Sequence, residues 1–133
     1  MNYQIIEDPT FVKLQFSQEW IDVGIITGED FLSIKKEYIK GEDHRTEHYR
    51  WGAFRAFLEG NNCICPKIFY KLYNLGKNDP DYSMGRAMIF EIIKRLDCPQ
   101  ELLDTAIGNG DITLARYALK LKSIRYKSKL SQK

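Results

Sequence analysis

The chain's two histidines, His44 and His48, are the residues with the clearest potential for chemistry. With Glu47 they form the pattern H-x-x-E-H, in which histidines one helical turn apart bind zinc and the glutamate polarises a water molecule. A catalytic zinc also needs a third protein ligand, and the chain has no further histidine to supply it. We therefore interpret the segment as the polar start of a helix, where Glu42, Asp43 and Glu47 lie favourably near the positive end of the helix dipole.

The three cysteines, Cys63, Cys65 and Cys98, offer a second possible metal site. Cys63 and Cys65 could combine with the histidines in a Cys2His2 zinc site. However, Cys65 and Cys98 are 33 residues apart, and each directly precedes a proline, Pro66 or Pro99, that can open a helix. This recurrence favours a structural role for both as small, partly buried residues. We therefore expect no bound metal.

Other catalytic patterns are also missing from the sequence. A nucleophilic serine or cysteine needs a base within hydrogen-bond reach, and neither histidine has such a neighbour along the chain. The segment Gly108-Asn109-Gly110 is typical of a helix end followed by the cap of the next helix, and not of a phosphate-binding loop. We predict a protein that is not an enzyme, needs no cofactor and works by binding a partner.

Signals for helix starts and ends occur along most of the chain. Asp8-Pro9 is an N-cap followed by a proline at the first helical position, residues 27–30 (T-G-E-D) resemble a capping arrangement, and Gly41 is a stop. Residues 12–16 alternate apolar and polar side chains, which a strand would also do. We interpret that segment as helical, with a minor strand as the alternative.

An internal repeat of 33 residues relates two parts of the chain. Residues 49–52 (Y-R-W-G) match 82–85 (Y-S-M-G), and Cys65-Pro66 matches Cys98-Pro99. Each unit reads as a longer helix, a short connection and a shorter helix, and its apolar face needs a neighbouring unit to cover it. The sequence therefore predicts an all-α fold, a short HEAT/armadillo-like helical-repeat solenoid of stacked antiparallel helix pairs. The pairs are expected near residues 30–58, 66–96 and 99–122, with Gly52 and Gly85 where first helices approach closely.

Length and composition predict one domain, residues 1–126, with a basic C-terminal tail over 127–133. No signal peptide and no membrane-spanning segment is evident, and an odd number of cysteines fits a reducing compartment, so we expect a cytoplasmic protein. Residues 1–119 carry 14 basic and 18 acidic residues, whereas six basic residues and no acidic one follow from Lys120 onward. An acidic body favours a basic partner and disfavours nucleic acid, and no membrane is expected as a partner.

Aromatic side chains surrounded by charge are the strongest remaining sign of a binding surface, because such groups form the energetic centres of interfaces. The opposing interpretation is that tyrosines in helical repeats are half-buried packing residues with solvated hydroxyl groups. The candidates for partner binding are Glu42, Asp43, Glu47, His48, Tyr49, Trp51, Tyr73, Asp79, Asp81 and Tyr82.

The block around these candidates, residues 41–54 (G-E-D-H-R-T-E-H-Y-R-W-G-A-F), resembles a group of small bacterial helical proteins. Many of them are encoded beside polymorphic or contact-dependent growth inhibition toxins. Their pattern runs roughly G-E-D-x-x-T-E-H-Y-R-[YW]-x-x-F, after a segment similar to residues 19–26 (E-W-I-D-V-G-I-I). The likeness covers about half of the chain and is strongest over this block.

The resemblance implies a HEAT-like immunity protein that binds and neutralises a cognate secreted toxin as a heterodimer. Many such toxins are nucleases with basic clefts, which an acidic, aromatic surface can cover. The resemblance does not distinguish the residues of the block that touch a toxin from those that hold the fold. The alternative function is a helical-repeat adaptor in another bacterial protein complex.

Overall fold

A computed structural model describes residues 5–41 and 45–131, with side chains as far as Lys127. These residues form a 3-10 helix, Ile5–Glu7, and eight α-helices, and they contain no strand, which confirms the predicted all-helical class. The helices are α1 (Pro9–Lys13), α2 (Gln18–Asp22), α3 (Gly28–Lys40), α4 (Glu47–Glu59), α5 (Pro66–Lys77), α6 (Tyr82–Ile93), α7 (Gln100–Ile107) and α8 (Ile112–Ser131). None of the described helices is long and apolar enough to cross a membrane.

Several helix ends lie where the sequence predicted them. The Asp8 carboxylate accepts a hydrogen bond of 2.8 Å from the Thr10 backbone N–H, and Pro9 opens α1. Thr27 and Asp30 form the reciprocal capping box of α3, which ends before Gly41. These caps satisfy backbone N–H groups that have no partner within a helix, and so they fix where each helix begins.

The interpretation of residues 12–16 as one helix was wrong. Helix α1 ends at Lys13, and Gln15 adopts a left-handed backbone conformation with φ of 63°. This turn lets Leu14 and Phe16 both enter the core, although they are only two residues apart in a segment that is not a strand. Burial of two apolar side chains therefore explains the alternating pattern without a sheet.

The contacts between Cα atoms group the chain into two compact units, where the sequence predicted one domain. Unit 1 contains the residues up to Asn62 together with Asp79–Met84. Unit 2 contains Cys63–Asn78 together with the residues from Gly85 onward. Helix α8 also includes residues 127–131, which we expected to belong to a tail.

Unit 1 is built on aromatic packing. The Phe11 ring lies 5.4 Å from that of Phe31 in an edge-to-face arrangement, and the Trp20 ring lies 5.2 Å from Phe16 and 6.4 Å from Phe54. Such edge-to-face pairs add specific geometry to the burial of large apolar surfaces. Helices α1, α2, α3 and α4 are held to one core by these five side chains.

Unit 2 contains a close helix approach at a glycine. A Cβ atom on Gly76 of α5 would lie 2.9 Å from Ile89 Cγ1 and 3.0 Å from the Gly85 carbonyl oxygen of α6, so only glycine fits. Gly85 therefore lies at a close approach, but to α5 and not to another first helix. Gly52 contradicts the prediction, because a Cβ there would meet no atom within 4 Å.

The 33-residue register holds only approximately in the structure. Pro66 is the first residue of α5, whereas Pro99 is the N-cap residue before α7. Cys65 is exposed and Cys98 is buried, so the predicted shared role of the two cysteines as partly buried residues was wrong. The helices nevertheless occur in the three predicted pairs, α3 with α4, α5 with α6 and α7 with α8.

Candidate functional site

Arg50 of α4 is the centre of a buried polar network in unit 1. Its side chain is fully buried, and its Nε and Nη2 donate to the two carboxylate oxygens of Asp79 at 3.0 and 3.2 Å. Its Nη1 donates to the Leu14 carbonyl oxygen at 2.7 Å and to Gln15 Oε1 at 3.3 Å. One guanidinium group thus joins α4 to the turn after α1 and to the segment that precedes α6.

Burial decides the role of two predicted binding residues. The Asp79 side chain is only 1% exposed and is paired with Arg50, and Asp79 Oδ1 also accepts from the Asp81 backbone N–H at 2.9 Å. Tyr49 is 9% exposed, and its ring packs edge-to-face on Tyr38 at 5.5 Å. Tyr49 and Asp79 therefore stabilise unit 1 from within, although Tyr49 also lines the groove described below.

Other predicted binding residues of unit 1 reach its surface to different extents. His48 is exposed, Glu47 and Trp51 are half-buried, and Tyr82 is 66% exposed. The guanidinium of Arg55 lies over the Trp51 ring, 5.5 Å from its centroid. Asp81 caps α6, because its carboxylate accepts from the Met84 backbone N–H at 2.9 Å.

Three predicted binding residues do not belong to this surface as it is described. Tyr73 lies in unit 2, is 5% exposed and accepts a hydrogen bond of 3.2 Å from Asn109 Nδ2. Glu42 and Asp43 lie outside the described residues, as does His44 of the H-x-x-E-H pattern.

An open groove of about 500 Å³ lies between α3 and α4 of unit 1. On one side it is lined by the α3 side chains Asp30, Ser33, Ile34 and Glu37. Their spacing of three, four and seven residues places them in one row along the helix. We call this space the α3–α4 groove.

The opposite wall of the α3–α4 groove consists mainly of small residues of α4. Gly52, Ala53 and Ala56 form the row, between Tyr49 at one end and Phe57 at the other. Because Gly52 has no neighbour within 4 Å of its Cβ position, the groove passes directly over the α4 backbone there. This wall is apolar and lets another chain approach closely.

The edges of the α3–α4 groove carry charge. The carboxylates of Asp30 and Glu37 lie on the α3 side, and the exposed imidazole of His48 lies on the α4 side. The Asp30 carboxylate accepts from the Thr27 backbone N–H in the capping box of α3. No described basic side chain pairs with Glu37. The groove thus presents an apolar wall of small residues and two carboxylates that can receive a cation.

Charge is unequally divided between the two units. Unit 1 contains 7 basic and 13 acidic residues, a net charge of −6, and unit 2 contains 13 basic and 5 acidic residues, a net charge of +8. Seven of the basic residues of unit 2 precede Lys120, so the positive charge of unit 2 extends beyond the predicted basic tail. The α3–α4 groove lies in the acidic unit.

The described residues include histidine, cysteine and carboxylate side chains, which are the usual metal ligands. No three of their histidine, cysteine, aspartate and glutamate side chains are grouped so as to hold a metal ion. Cys63 and Cys65 are exposed free thiols, while burial raises the pKa of the Cys98 thiol to about 11 and so keeps it protonated at neutral pH.

No protein-family model, curated protein or solved structure matches this chain.

The sequence interpretation missed the α3 side of the groove and the role of Gly52. One signal was available, because a glycine inside an amphipathic helix lowers helix stability by about 1 kcal/mol relative to alanine and so needs a structural reason. The repeat suggested close helix packing as that reason, and the structure has open space there instead.

Proposed function

We propose that this protein is an immunity protein that binds and neutralises a bacterial toxin domain through the surface of unit 1. The observation that carries the proposal is the α3–α4 groove, an open apolar groove with carboxylates on its edge, in a unit of net charge −6. On the α4 wall of this groove, Tyr49, Gly52 and Ala53 lie in the segment that resembles immunity proteins, residues 41–54. Ala56 and Phe57 lie in the next turn of the same helix.

The charge of unit 1 suits a toxin that acts on nucleic acid. A nuclease needs a basic cleft to hold phosphate groups, and an acidic protein that covers such a cleft blocks substrate access. Opposite charges also accelerate encounter by a factor of about 10 to 1,000, which favours neutralisation before damage occurs. The proposed complex is a heterodimer of this chain with one toxin domain.

We further propose that the helix pairs belong to a short HEAT-like solenoid. The support is that α4 and α6 begin 35 residues apart (82 − 47) and that α5 and α7 begin 34 residues apart (100 − 66), close to the 33-residue period of the sequence. A partner-binding solenoid is also compatible with the alternative function, an adaptor in another bacterial complex.

The direct test is binding to the polypeptide encoded next to this gene, followed by co-expression in growing cells. We expect a stable complex and rescue of growth from the toxin. A neighbouring polypeptide that is not toxic but binds tightly would favour the adaptor function, and absence of any binding would refute the toxin partner.

Charge reversal locates the surface within unit 1. Glu37→Lys should lower the association rate constant by about tenfold at low salt, with a smaller loss at high salt because salt screens the interaction. Glu19→Lys is the matched control, since Glu19 is an exposed acidic residue of unit 1 that does not line the groove. Asp79 is unsuitable for reversal, because a lysine there would face the buried Arg50.

A further inference from the structure

We infer that the α3–α4 groove receives an amphipathic helix of the partner, with a row of apolar side chains and two basic residues seven positions apart. This inference deepens the proposed function and rests on it for the identity of the partner as a toxin. The shape and charge of the groove define the chemistry of the segment that it binds.

The two walls of the groove have the geometry of a helix-binding site. Asp30, Ser33, Ile34 and Glu37 follow helical spacing on α3, and the small residues of α4 follow helical spacing opposite them. A third helix packs between two such rows when its own side chains interdigitate with them. The absence of a Cβ atom at Gly52 and the methyl side chains of Ala53 and Ala56 leave room for its apolar row.

The carboxylates on the edge specify the charge of that helix. Asp30 and Glu37 are seven residues apart, which is about 10.5 Å along the axis of α3 at 1.5 Å per residue. A partner helix lying along α3 presents two of its residues at the same separation when they too are seven apart. Lysine or arginine at those two positions pairs with both carboxylates, and the net charge of −6 on unit 1 attracts the same helix at longer range.

The same features disfavour nucleic acid as the occupant. Phosphate groups entering this groove would face Asp30 and Glu37 in place of the lysine and arginine side chains that neutralise a nucleic-acid backbone. The apolar lining between α3 and α4 instead matches the apolar face of a protein helix.

The test uses synthetic peptides as probes, so that it does not depend on the identity of the toxin. The first peptide is a 15-residue amphipathic helix of leucine, alanine and two lysines seven positions apart. The second has the same composition in an order that separates the leucines around the helix. The third carries glutamate in place of both lysines. Binding is followed by chemical-shift changes of backbone amides in the complete chain.

The first peptide should shift the amides of α3 and α4 that line the groove, and the second and third should bind at least tenfold more weakly. Glu37→Lys should narrow the difference between the first and third peptides without reversing it, because Asp30 stays acidic and unit 1 keeps a net negative charge. Equal shifts from all three peptides, or no shift in α3 and α4 at millimolar concentrations of the first, would overturn the inference.

Gly52→Leu supplies the second arm, because a leucine side chain at this position enters the groove without meeting another atom near its Cβ. Gly52→Leu should bind the first peptide at least tenfold more weakly than the wild-type protein does, while its helical circular dichroism spectrum is unchanged. Gly110→Leu is the matched control, since a Cβ on Gly110 also meets no atom within 4 Å and Gly110 lies in unit 2.

The two proposals fail in distinguishable ways. If the neighbouring toxin binds Gly52→Leu as tightly as it binds the wild-type protein, the groove is not its helix site, and the toxin-binding function still stands. If the first peptide occupies the groove but no toxin binds, the immunity function fails and the chemistry of the groove stands.

Discussion

Replacement of Arg50 tests whether the core of unit 1 depends on its buried ion pair. Arg50→Met keeps most of the unbranched side-chain length but removes the guanidinium group. Asp79, with 1% of its side chain exposed, is then left as a buried carboxylate without a cation. The Leu14 carbonyl oxygen also loses a donor, whereas the exposed Gln15 keeps the Thr46 hydroxyl as a donor to its amide oxygen. The variant therefore leaves two buried polar groups, the Asp79 carboxylate and the Leu14 carbonyl oxygen, without the guanidinium group.

The expected loss follows from the burial of the pair. Breaking a buried ion pair by removing one partner costs about 3–5 kcal/mol, because the remaining charge is uncompensated. The double variant Arg50→Met/Asp79→Asn carries no unpaired charge, and an asparagine oxygen can still accept from the Asp81 N–H. The double variant leaves chiefly the Leu14 carbonyl oxygen without its donor, and we expect its free energy of unfolding to be about 1–3 kcal/mol lower than that of the wild-type protein. Total stabilities are about 5–15 kcal/mol, so either change is measurable.

Urea unfolding followed by circular dichroism at 222 nm gives the free energies of unfolding of Arg50→Met and of the double variant Arg50→Met/Asp79→Asn. The double variant should be more stable than Arg50→Met. Lys122→Met is a useful comparison, because the side chains of Lys122 and Asp104 are 45% and 50% exposed and lie 2.7 Å apart, so the loss of that pair should cost at most about 1 kcal/mol. A loss below 1 kcal/mol for Arg50→Met would refute the assigned role of the buried network.

Three further predictions concern single positions. Gly52→Leu should raise the free energy of unfolding by up to about 1 kcal/mol, since it removes a glycine from inside a helix without overpacking; a lower melting temperature would contradict the open site. Gly76→Ala should destabilise by about 1–3 kcal/mol, because its Cβ would lie 2.9 Å from Ile89; unchanged thermal unfolding would disprove the close approach. Burial raises the pKa of the Cys98 thiol from its ordinary value of 9.0 to about 11 in the folded chain. Between pH 9 and 11 the unfolded chain therefore releases a proton that the folded chain keeps. The free energy of unfolding should fall as the pH rises through this window. The free energy of unfolding should fall less with pH in Cys98→Ala than in the wild-type protein. Identical urea midpoints for the two proteins from pH 8 to 10.5 would exclude this contribution of Cys98.

Local sequence signals predicted much of the helical structure. Asp8-Pro9, Thr27 with Asp30 and Gly41 act over a few residues, so their effect does not depend on the rest of the fold. Residues 12–16 were misinterpreted because their burial is set by tertiary contacts, with Leu14 and Phe16 entering one core on either side of Gln15. Apolar spacing alone does not reveal a left-handed turn at a residue other than glycine or asparagine.

The candidate site was predictable only in part, because partner binding and core packing use the same residue types. Tyr49 and Tyr82 match at the repeat spacing, yet Tyr49 is buried against Tyr38 while Tyr82 is 66% exposed. Asp79 and Glu37 are both acidic, but Asp79 is buried because it pairs with Arg50, whereas Glu37 is exposed. The sequence alone does not show which of the two carboxylates Arg50 contacts. The groove itself depends on how α3 lies against α4, which no single segment of sequence specifies.

Under the proposed immunity function, the pattern of residues 41–54 has a physical interpretation in the two faces of α4. Arg50 and Phe54 point into the core of unit 1, where the ion pair and the contact with Trp20 hold the helix in place. His48, Gly52 and Ala53 belong to the opposite side and line the groove. A related sequence pattern can therefore reflect the fold through one face and the partner through the other. Variants of Gly52 separate these contributions, because they change the groove and leave the buried face intact.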